Sequence, residues 1–133
     1  MIETKLIKLT PNLMVEDVGQ SIAFYRDVLG FTLEQTVPEA APFVWASMKA
    51  GDVEVMFQSR ASLAEDLPDL ADRPIGGSLT LYIQLTGIVE LYERVRGRAA
   101  IIQEMHDTFY GAREFAIRDH NGYILGFAES ITA

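Results

Sequence analysis

The chain repeats one pattern of apolar and polar residues at a constant offset of 70 residues, over 10–34 and again over 80–104. In each copy, alternating apolar residues typical of a half-buried strand precede apolar residues spaced as one face of a helix. These helix faces are Val18, Ile22, Tyr25 and Leu29 in the first copy, and Ile88, Tyr92, Val95 and Ala99 in the second. A fixed period of this kind indicates a duplicated supersecondary unit, with a site between the two units.

The first helix carries its own boundary signals. Asp17 can accept hydrogen bonds from the free amides of the first turn, Gln20 follows three residues later as in a capping box, and Gly30 can end the helix. The equivalent positions in the second copy hold Gly87, Glu90 and Gly97.

Further short strands are predicted after each helix, which makes each copy a βαβββ module. The Asn-Gly pair at 121–122 is a strong signal for a tight turn between two of them. The predicted segments are 31–33, 43–48 and 53–57 in the first copy, and 101–102, 114–118 and 123–127 in the second.

A chain of 133 residues is long enough for one domain, and the pattern divides it into two modules. Module one is predicted over 4–58 and module two over 78–130, which gives an α+β fold. Residues 59–77 are rich in acids and turn formers and are interpreted as a linker, with one helical turn behind Ser62.

The net charge of −8, from 19 acidic and 11 basic residues, argues against a nucleic-acid partner and favours a neutral or cationic small molecule. Apolar residues occur in short runs, so neither a membrane span nor a signal peptide is expected. The absence of cysteine excludes disulfides and thiolate ligands, and a cytoplasmic protein is expected.

Two stretches resemble a known superfamily. They are Leu13-x-Val15-x-Asp17-x-x-x-Ser21-Ile22-x-Phe24-Tyr25-x-x-x-Leu29-Gly30-Phe31 and Glu114-Phe115-Ala116-Ile117-Arg118-Asp119-His120-Asn121-Gly122-Tyr123. With the repeat, they resemble the vicinal oxygen chelate superfamily, which includes glyoxalases, bleomycin-resistance proteins and extradiol dioxygenases. The resemblance implies two tandem βαβββ modules whose curved mixed sheets form a cleft, with the helices outside, and it implies a homodimer.

Metal-dependent members of that superfamily place His or Gln early in each module and Glu in the last strand of each. The resemblance puts these positions at Thr10, Thr80 and Gly126, with only Glu54 as a carboxylate candidate. Hydroxyls are poor donors and glycine has no side chain, so no bound metal and no other cofactor is expected. His106 and His120 are interpreted as solvated loop residues.

Strand alternation predicts which side chains face the cleft. If Leu13 and Val15 cover the helix, then Thr10, Asn12 and Met14 face the other way, and the same rule applies in the other strands. The predicted ligand-binding residues are Thr10, Asn12, Met14, Trp45, Glu54, Met56, Thr80, Tyr82, Tyr110 and Arg113, with Gln58 and Gln84 beside them. Such a surface suits a flat or amphiphilic organic molecule, with Glu54 as counter-charge to a cation.

Three functions remain open at this level. The first is a metal-free protein that binds a small molecule, similar to bleomycin-resistance proteins. The second is a metal-dependent lyase or isomerase of the glyoxalase type, with Glu54 as the catalytic base. The third is a scaffold whose cleft is filled by its own side chains, for example Met14, Met56 and Tyr82. Arg113 likewise either contacts a ligand or pairs with a neighbouring acid.

Overall fold

The first copy of the repeat forms a four-stranded sheet with its helix on one face. In a computed structural model that describes residues 2–131, its elements are β1 (Asn12–Val15), α1 (Val18–Asp27), β2 (Thr32–Val37), β3 (Trp45–Ala50) and β4 (Val53–Ser59). The strand order is β1-β4-β3-β2, with β1 parallel to β4 and the other pairs antiparallel. The crossover from β1 to β2 through α1 is what allows the first and last strands of the module to pair in parallel.

A connecting segment with its own helix, α2 (Arg60–Asp66), follows β4. The cap is Ser59, whose hydroxyl accepts from the Ser62 amide at 3.3 Å, so the helix begins three residues before the turn predicted behind Ser62. A 3₁₀ turn at Pro68–Leu70 comes next, and Arg60 donates to the carbonyl oxygens of Ala71 and Arg73 at 3.0 and 2.8 Å. The segment predicted as a linker with one helical turn therefore contains a seven-residue helix and a 3₁₀ turn.

The second copy repeats the topology of the first. Its elements are β5 (Thr80–Gln84), α3 (Ile88–Val95), β6 (Ala100–Asp107), β7 (Ala112–Arg118) and β8 (Ile124–Ser130), in the sheet order β5-β8-β7-β6. The prediction of two tandem βαβββ modules is confirmed. No helix within residues 2–131 is long and apolar enough to cross a membrane.

The two helices obtain their N-terminal caps in different ways. The Asp17 carboxylate accepts from the Gln20 amide at 3.1 Å, as the sequence predicts. At α3 the N-cap is Gly87, with φ of 81° and no side chain to offer. The Glu129 carboxylate of β8 takes over this role and accepts from the amides of Gly87 and Ile88 at 3.2 and 2.9 Å. The cap of α3 is therefore a tertiary contact.

The core lies between the sheets and the helices, where strand alternation predicted it. Val15, Phe57, Ile117 and Leu125 are fully buried, and the residues predicted for the helix faces pack with them. Two of those residues, Leu29 and Ala99, lie beyond the ends of α1 and α3, so both helices are shorter than predicted. The two modules are joined by polar contacts as well as apolar ones, since the buried Tyr25 hydroxyl of α1 donates to the Asp119 carboxylate at 2.8 Å. Burial and the Asp119 charge raise the pKa of Tyr25.

Candidate functional site

The face of each sheet that turns away from its helix is called here the concave face. In β7, Phe115 and Ile117 are buried against the helix, so Glu114 and Ala116 lie on the concave face of module two. Tyr82 of β5 shares that face, because its neighbours Leu81 and Ile83 pack against the core.

Three side chains form a hydrogen-bonded cluster on this face. One carboxylate oxygen of Glu114 accepts from the hydroxyls of Tyr82 at 2.6 Å and of Tyr110 at 2.8 Å. Tyr110 lies in the turn between β6 and β7, so the cluster ties that turn to the sheet. The hydrogen bond to Glu114 raises the pKa of Tyr82 to about 12, and the same carboxylate raises the pKa of Tyr110.

A glycine supports the ring of Tyr82. Tyr82 pairs with Gly126 of β8 in the parallel ladder, and a Cβ at Gly126 would lie 3.7 Å from Cδ1 of Tyr82. The aromatic ring therefore lies directly over the glycine backbone, a pairing that compensates for the missing side chain.

Tyr82 separates two open grooves on the concave face of module two. One, of about 390 Å³, is lined by Thr80, Ile102, Gln103 and Glu114, among others. The other, of about 430 Å³, is lined by Gln84, Tyr110 and residues of β8. The tyrosine side chains are not a filled core, because Tyr82 is 55% and Tyr110 is 57% exposed.

The concave face of module one is partly covered by the connecting segment. Gln58 accepts from Asn12 at 2.9 Å and donates to Ser62 and Asp66 at 3.0 and 2.9 Å, which holds α2 against the sheet. Met14 is buried there and borders a groove of about 430 Å³ beneath the segment.

Trp45 and Met56 also lie on the concave face of module one, because their ladder partners do. Trp45 pairs with Gln58, and Met56 pairs with Ser47. The sequence alone did not determine which face of the sheet Trp45 occupies. Trp45 borders a separate groove of about 460 Å³ beside β2. Within this chain, Trp45 and the tyrosine cluster are therefore in different grooves.

Glu54 lies where the two modules meet. Its carboxylate forms an ion pair with Lys8, and it borders a cavity of about 230 Å³ that Tyr82 also borders. Thr10 precedes β1 rather than lying in it, and Thr80 begins β5 on the concave face. The structure thus brings Glu54 and Tyr82 to one cavity.

Arg113 lies on the other face of β7 from Glu114. Its guanidinium donates to both carboxylate oxygens of Asp107, at 2.7 and 3.2 Å. This pairing lowers the pKa of Asp107. Pairing with an acid was one of the two interpretations of Arg113, and its contact with a ligand stays a prediction.

Comparison with known proteins places the chain in a family. A model of the Glyoxalase/Bleomycin resistance protein/Dioxygenase superfamily matches residues 8–127. The chain belongs to this superfamily. The resemblance seen in the two sequence stretches is confirmed.

Three relatives of this superfamily member illustrate the likeness. It is 27% identical over 130 residues to a bleomycin resistance protein of Geobacillus stearothermophilus, which covers 95% of this chain and 98% of the relative. A solved glyoxalase/bleomycin resistance protein/dioxygenase from Nocardioides has a TM-score of 0.77 and 22% identity, over 99% of this chain and 88% of that one. An antibiotic binding protein from Streptomyces sp. CB03234 has a TM-score of 0.73 and 19% identity, over 96% and 99%.

The positions that the resemblance assigns to metal ligands carry side chains that do not suit a metal ion. Thr10, Thr80 and Gly126 offer no imidazole or carboxylate, and the Glu54 carboxylate is paired with Lys8. Within residues 2–131, no group of three or more His, Asp or Glu side chains is close enough together to hold an ion.

The two histidines lie in different settings. His106 is in strand β6, which corrects the loop interpretation, and its Nδ1 lies 2.9 Å from the Glu104 carbonyl oxygen. His120 is in the turn between β7 and β8, as expected, and its Nε2 lies 3.5 Å from the Ser21 hydroxyl. His106 therefore contacts its own strand, while His120 contacts α1 of the other module.

Glu114 is the residue of this cluster that the sequence reasoning missed. Its signal was present, because it alternates with Phe115 and Ile117, both apolar, and so must face away from the helix. Phe109, at 100% exposure, lies beside Tyr110 in the same turn.

Proposed function

We propose that this protein binds a small organic molecule on the concave face of module two, without a metal ion. The observation that carries the proposal is the cluster of Tyr82, Tyr110 and Glu114, which presents two half-exposed aromatic rings beside open grooves. Apolar rings with a few fixed polar groups are typical of small-molecule sites.

The chemistry of the cluster favours a flat or cationic ligand. A phenol that donates to a carboxylate has an electron-rich ring, and such a ring attracts a cation placed over its face. Glu114 is almost completely buried, at 9% exposure, and therefore holds the rings in place more than it contacts a ligand itself. The net charge of −8 adds a long-range attraction for cations.

Relatives named bleomycin resistance protein and a structural neighbour named an antibiotic binding protein support this class of function. Bleomycin is therefore the first compound to test, followed by other cationic and aromatic antibiotics. Sequestration requires only binding, and so needs none of the ligands of a metal-dependent lyase.

We propose further that a second copy of the chain completes the site, in a homodimer in the cytoplasm. The concave faces of the two modules carry separate grooves within one chain, and Trp45 lies in a different groove from Tyr82. A partner could bring the two kinds of groove face to face. Light scattering of the untagged protein is expected to give twice the mass of one chain.

Thermal unfolding in the presence of bleomycin tests the binding proposal. A ligand at one hundred times its Kd stabilises the folded state by about 2.7 kcal/mol, so the Tm is expected to rise by several degrees. Tyr82→Ala and Glu114→Gln are expected to reduce this rise. Glu93→Gln removes the same charge from an exposed position on α3 and should leave it unchanged.

The same samples separate this proposal from the metal-dependent enzyme. Metal analysis is expected to find less than about one-tenth of an equivalent, with no gain in Tm on adding nickel, iron or manganese. The proposal is wrong if no compound of the panel shifts the Tm of the wild type, or if the shift survives in both cluster variants.

A further inference from the structure

A second, smaller cavity lies at the junction of the two modules, away from the grooves beside Tyr110. Its volume is about 230 Å³. Module one contributes Phe31 and Val55 to its lining, and module two contributes Leu81, Ile83 and Leu125. The walls are therefore apolar, and the charged groups that border the cavity are the carboxylates of Asp52 and Glu54.

The Glu54 carboxylate is only partly in contact with water. Its side chain is 25% exposed, and its charge is compensated by the ammonium group of Lys8. A carboxylate beside an apolar wall is unfavourable without a cation, because it has lost part of its hydration. Glu54 therefore requires a positive partner at this place, whatever molecule supplies it.

The segment that carries Lys8 is held weakly. Residues 2–11 form no helix or strand, and Leu6, Ile7 and Leu9 are 94%, 89% and 87% exposed. Pro11 makes a backbone contact with the sheet, since its carbonyl oxygen accepts from the Met56 amide at 2.9 Å, and Leu9 and Pro11 border the cavity. The Lys8 side chain is itself 54% exposed, and an ion pair of such exposure contributes little stability. Lys8 is thus a partner that can be replaced at small cost.

We propose that this cavity is a binding site for an organic cation with a small apolar body. In the free protein Lys8 pairs with the Glu54 carboxylate, and the cationic group of the ligand displaces Lys8 when it binds. A ligand ammonium group would pair with Glu54, while its apolar part would fill the space between Val55, Leu81 and Leu125. The Lys8 side chain supplies the first of these two contacts, while Leu9 and Pro11 of its segment border the cavity and leave its space open. The site does not depend on the proposed function of the tyrosine cluster, although Tyr82 borders both.

A second lysine limits the size of the effect. Lys49 is the ladder partner of Glu54 on β3, and it remains beside the carboxylate when Lys8 leaves. Removal of Lys8 is therefore expected to improve the affinity for an organic cation only about three- to fivefold. This factor corresponds to the free energy that a partly exposed ion pair contributes.

Calorimetric or NMR titration with benzylamine tests this proposal, with benzyl alcohol as the neutral molecule of the same shape. Lys8→Gln is expected to bind benzylamine about three- to fivefold more tightly than the wild type. Glu54→Gln keeps the size of the side chain and removes its charge. This variant is expected to bind benzylamine at least about three- to fivefold more weakly than the wild type. Lys5→Gln changes the net charge in the same way as Lys8→Gln, in the same segment, and should match the wild type.

The chemical shifts that move on titration report the location. Amides of Val55, Leu81 and Leu125 should respond, and Glu93→Gln, which removes a charge from an exposed position on α3, should leave the affinity for benzylamine unchanged. The titration uses neither bleomycin nor a variant of the tyrosine cluster, so a failure of the proposal for that cluster does not change its result. The proposal is overturned if Lys8→Gln, Lys5→Gln and wild type bind benzylamine equally, or if Glu54→Gln binds it as well as the wild type at an unchanged Tm.

Discussion

At the scale of single residues, a buried carboxylate sets the properties of the candidate site. Glu114 accepts from two phenols at once, and this arrangement fixes the rings of Tyr82 and Tyr110. The hydrogen bond is lost when the phenol ionises, so the pKa of Tyr82 is raised to about 12 from 10.0. The same geometry that orients the rings therefore keeps them neutral.

The titration of the tyrosines should show this effect. In Glu114→Gln the charged acceptor is gone, and Tyr82 and Tyr110 are expected to form phenolate at lower pH than in the wild type. Phenolate absorbance against pH, with circular dichroism to follow unfolding, is the measurement. A wild-type curve that coincides with the variant curve would contradict the cluster.

The sign of the stability effect follows from the direction of the shift. The pKa of Tyr82 is higher in the folded state than its ordinary value of 10.0. The contribution of the cluster is therefore fully present below about pH 10 and is lost as the pH rises toward about 12. Denaturant unfolding of wild type and variant should converge over that interval.

At the scale of elements, the two modules share a topology but not their capping chemistry. Helix α1 is capped by its own Asp17, while α3 begins at a glycine and borrows the Glu129 carboxylate from β8. A carboxylate at a helix N-terminus satisfies free amides and also interacts favourably with the helix dipole. The link couples the start of α3 to the last strand of its sheet.

Glu129→Ala is expected to lower the free energy of unfolding by about 1 kcal/mol, within the range of lost caps of about 0.5–2 kcal/mol. Glu90→Ala is the matched control, because Glu90 is in the first turn of α3 and makes no comparable pair of amide contacts. Chemical denaturation of both variants is the measurement. Equal losses in the two would mean that general first-turn charge, and not the Glu129 cap, stabilises α3.

At the scale of the whole molecule, a buried polar contact joins the two halves. The Tyr25 hydroxyl of module one donates to Asp119 in module two, and Asp119 also accepts from the amides of Asn121 and Tyr123 at 2.9 Å each. Tyr123 in turn donates to the Met14 carbonyl oxygen at 2.8 Å. The turn between β7 and β8 is thereby fixed against α1 and β1.

Tyr25→Phe is expected to cost about 1.5–3 kcal/mol of unfolding free energy, because the lost hydrogen bond has a charged acceptor. Tyr123→Phe removes a hydrogen bond to a neutral carbonyl oxygen and should lower the free energy of unfolding by about 0.5–1.5 kcal/mol. Denaturant curves of both variants test the difference. The reverse order would show that the Asp119 contact is not the main polar link between the modules.

The module topology could be predicted because each module carries its signals locally. Leu13 and Val15, then Val18, Ile22 and Tyr25, change from a period of two to a period near 3.6 within a few residues, and the burial follows. The length of the helix in the connecting segment was less predictable from the sequence than the module topology. Its stability depends on Gln58, which reaches Ser62 and Asp66 from the neighbouring sheet.

The sequence by itself determined the two modules and the faces of most of their strands, because periodicity is a local property. The resemblance to the superfamily, and not periodicity, assigned Thr10, Thr80 and Gly126 to metal positions, where their donor chemistry does not suit an ion. Only the tertiary structure decided that Glu114 holds Tyr82 and Tyr110, that Glu129 caps α3 and that Lys8 pairs with Glu54. Each of these contacts joins residues from different elements. Their distances depend on how strands and turns pack in space, which no spacing along the chain records.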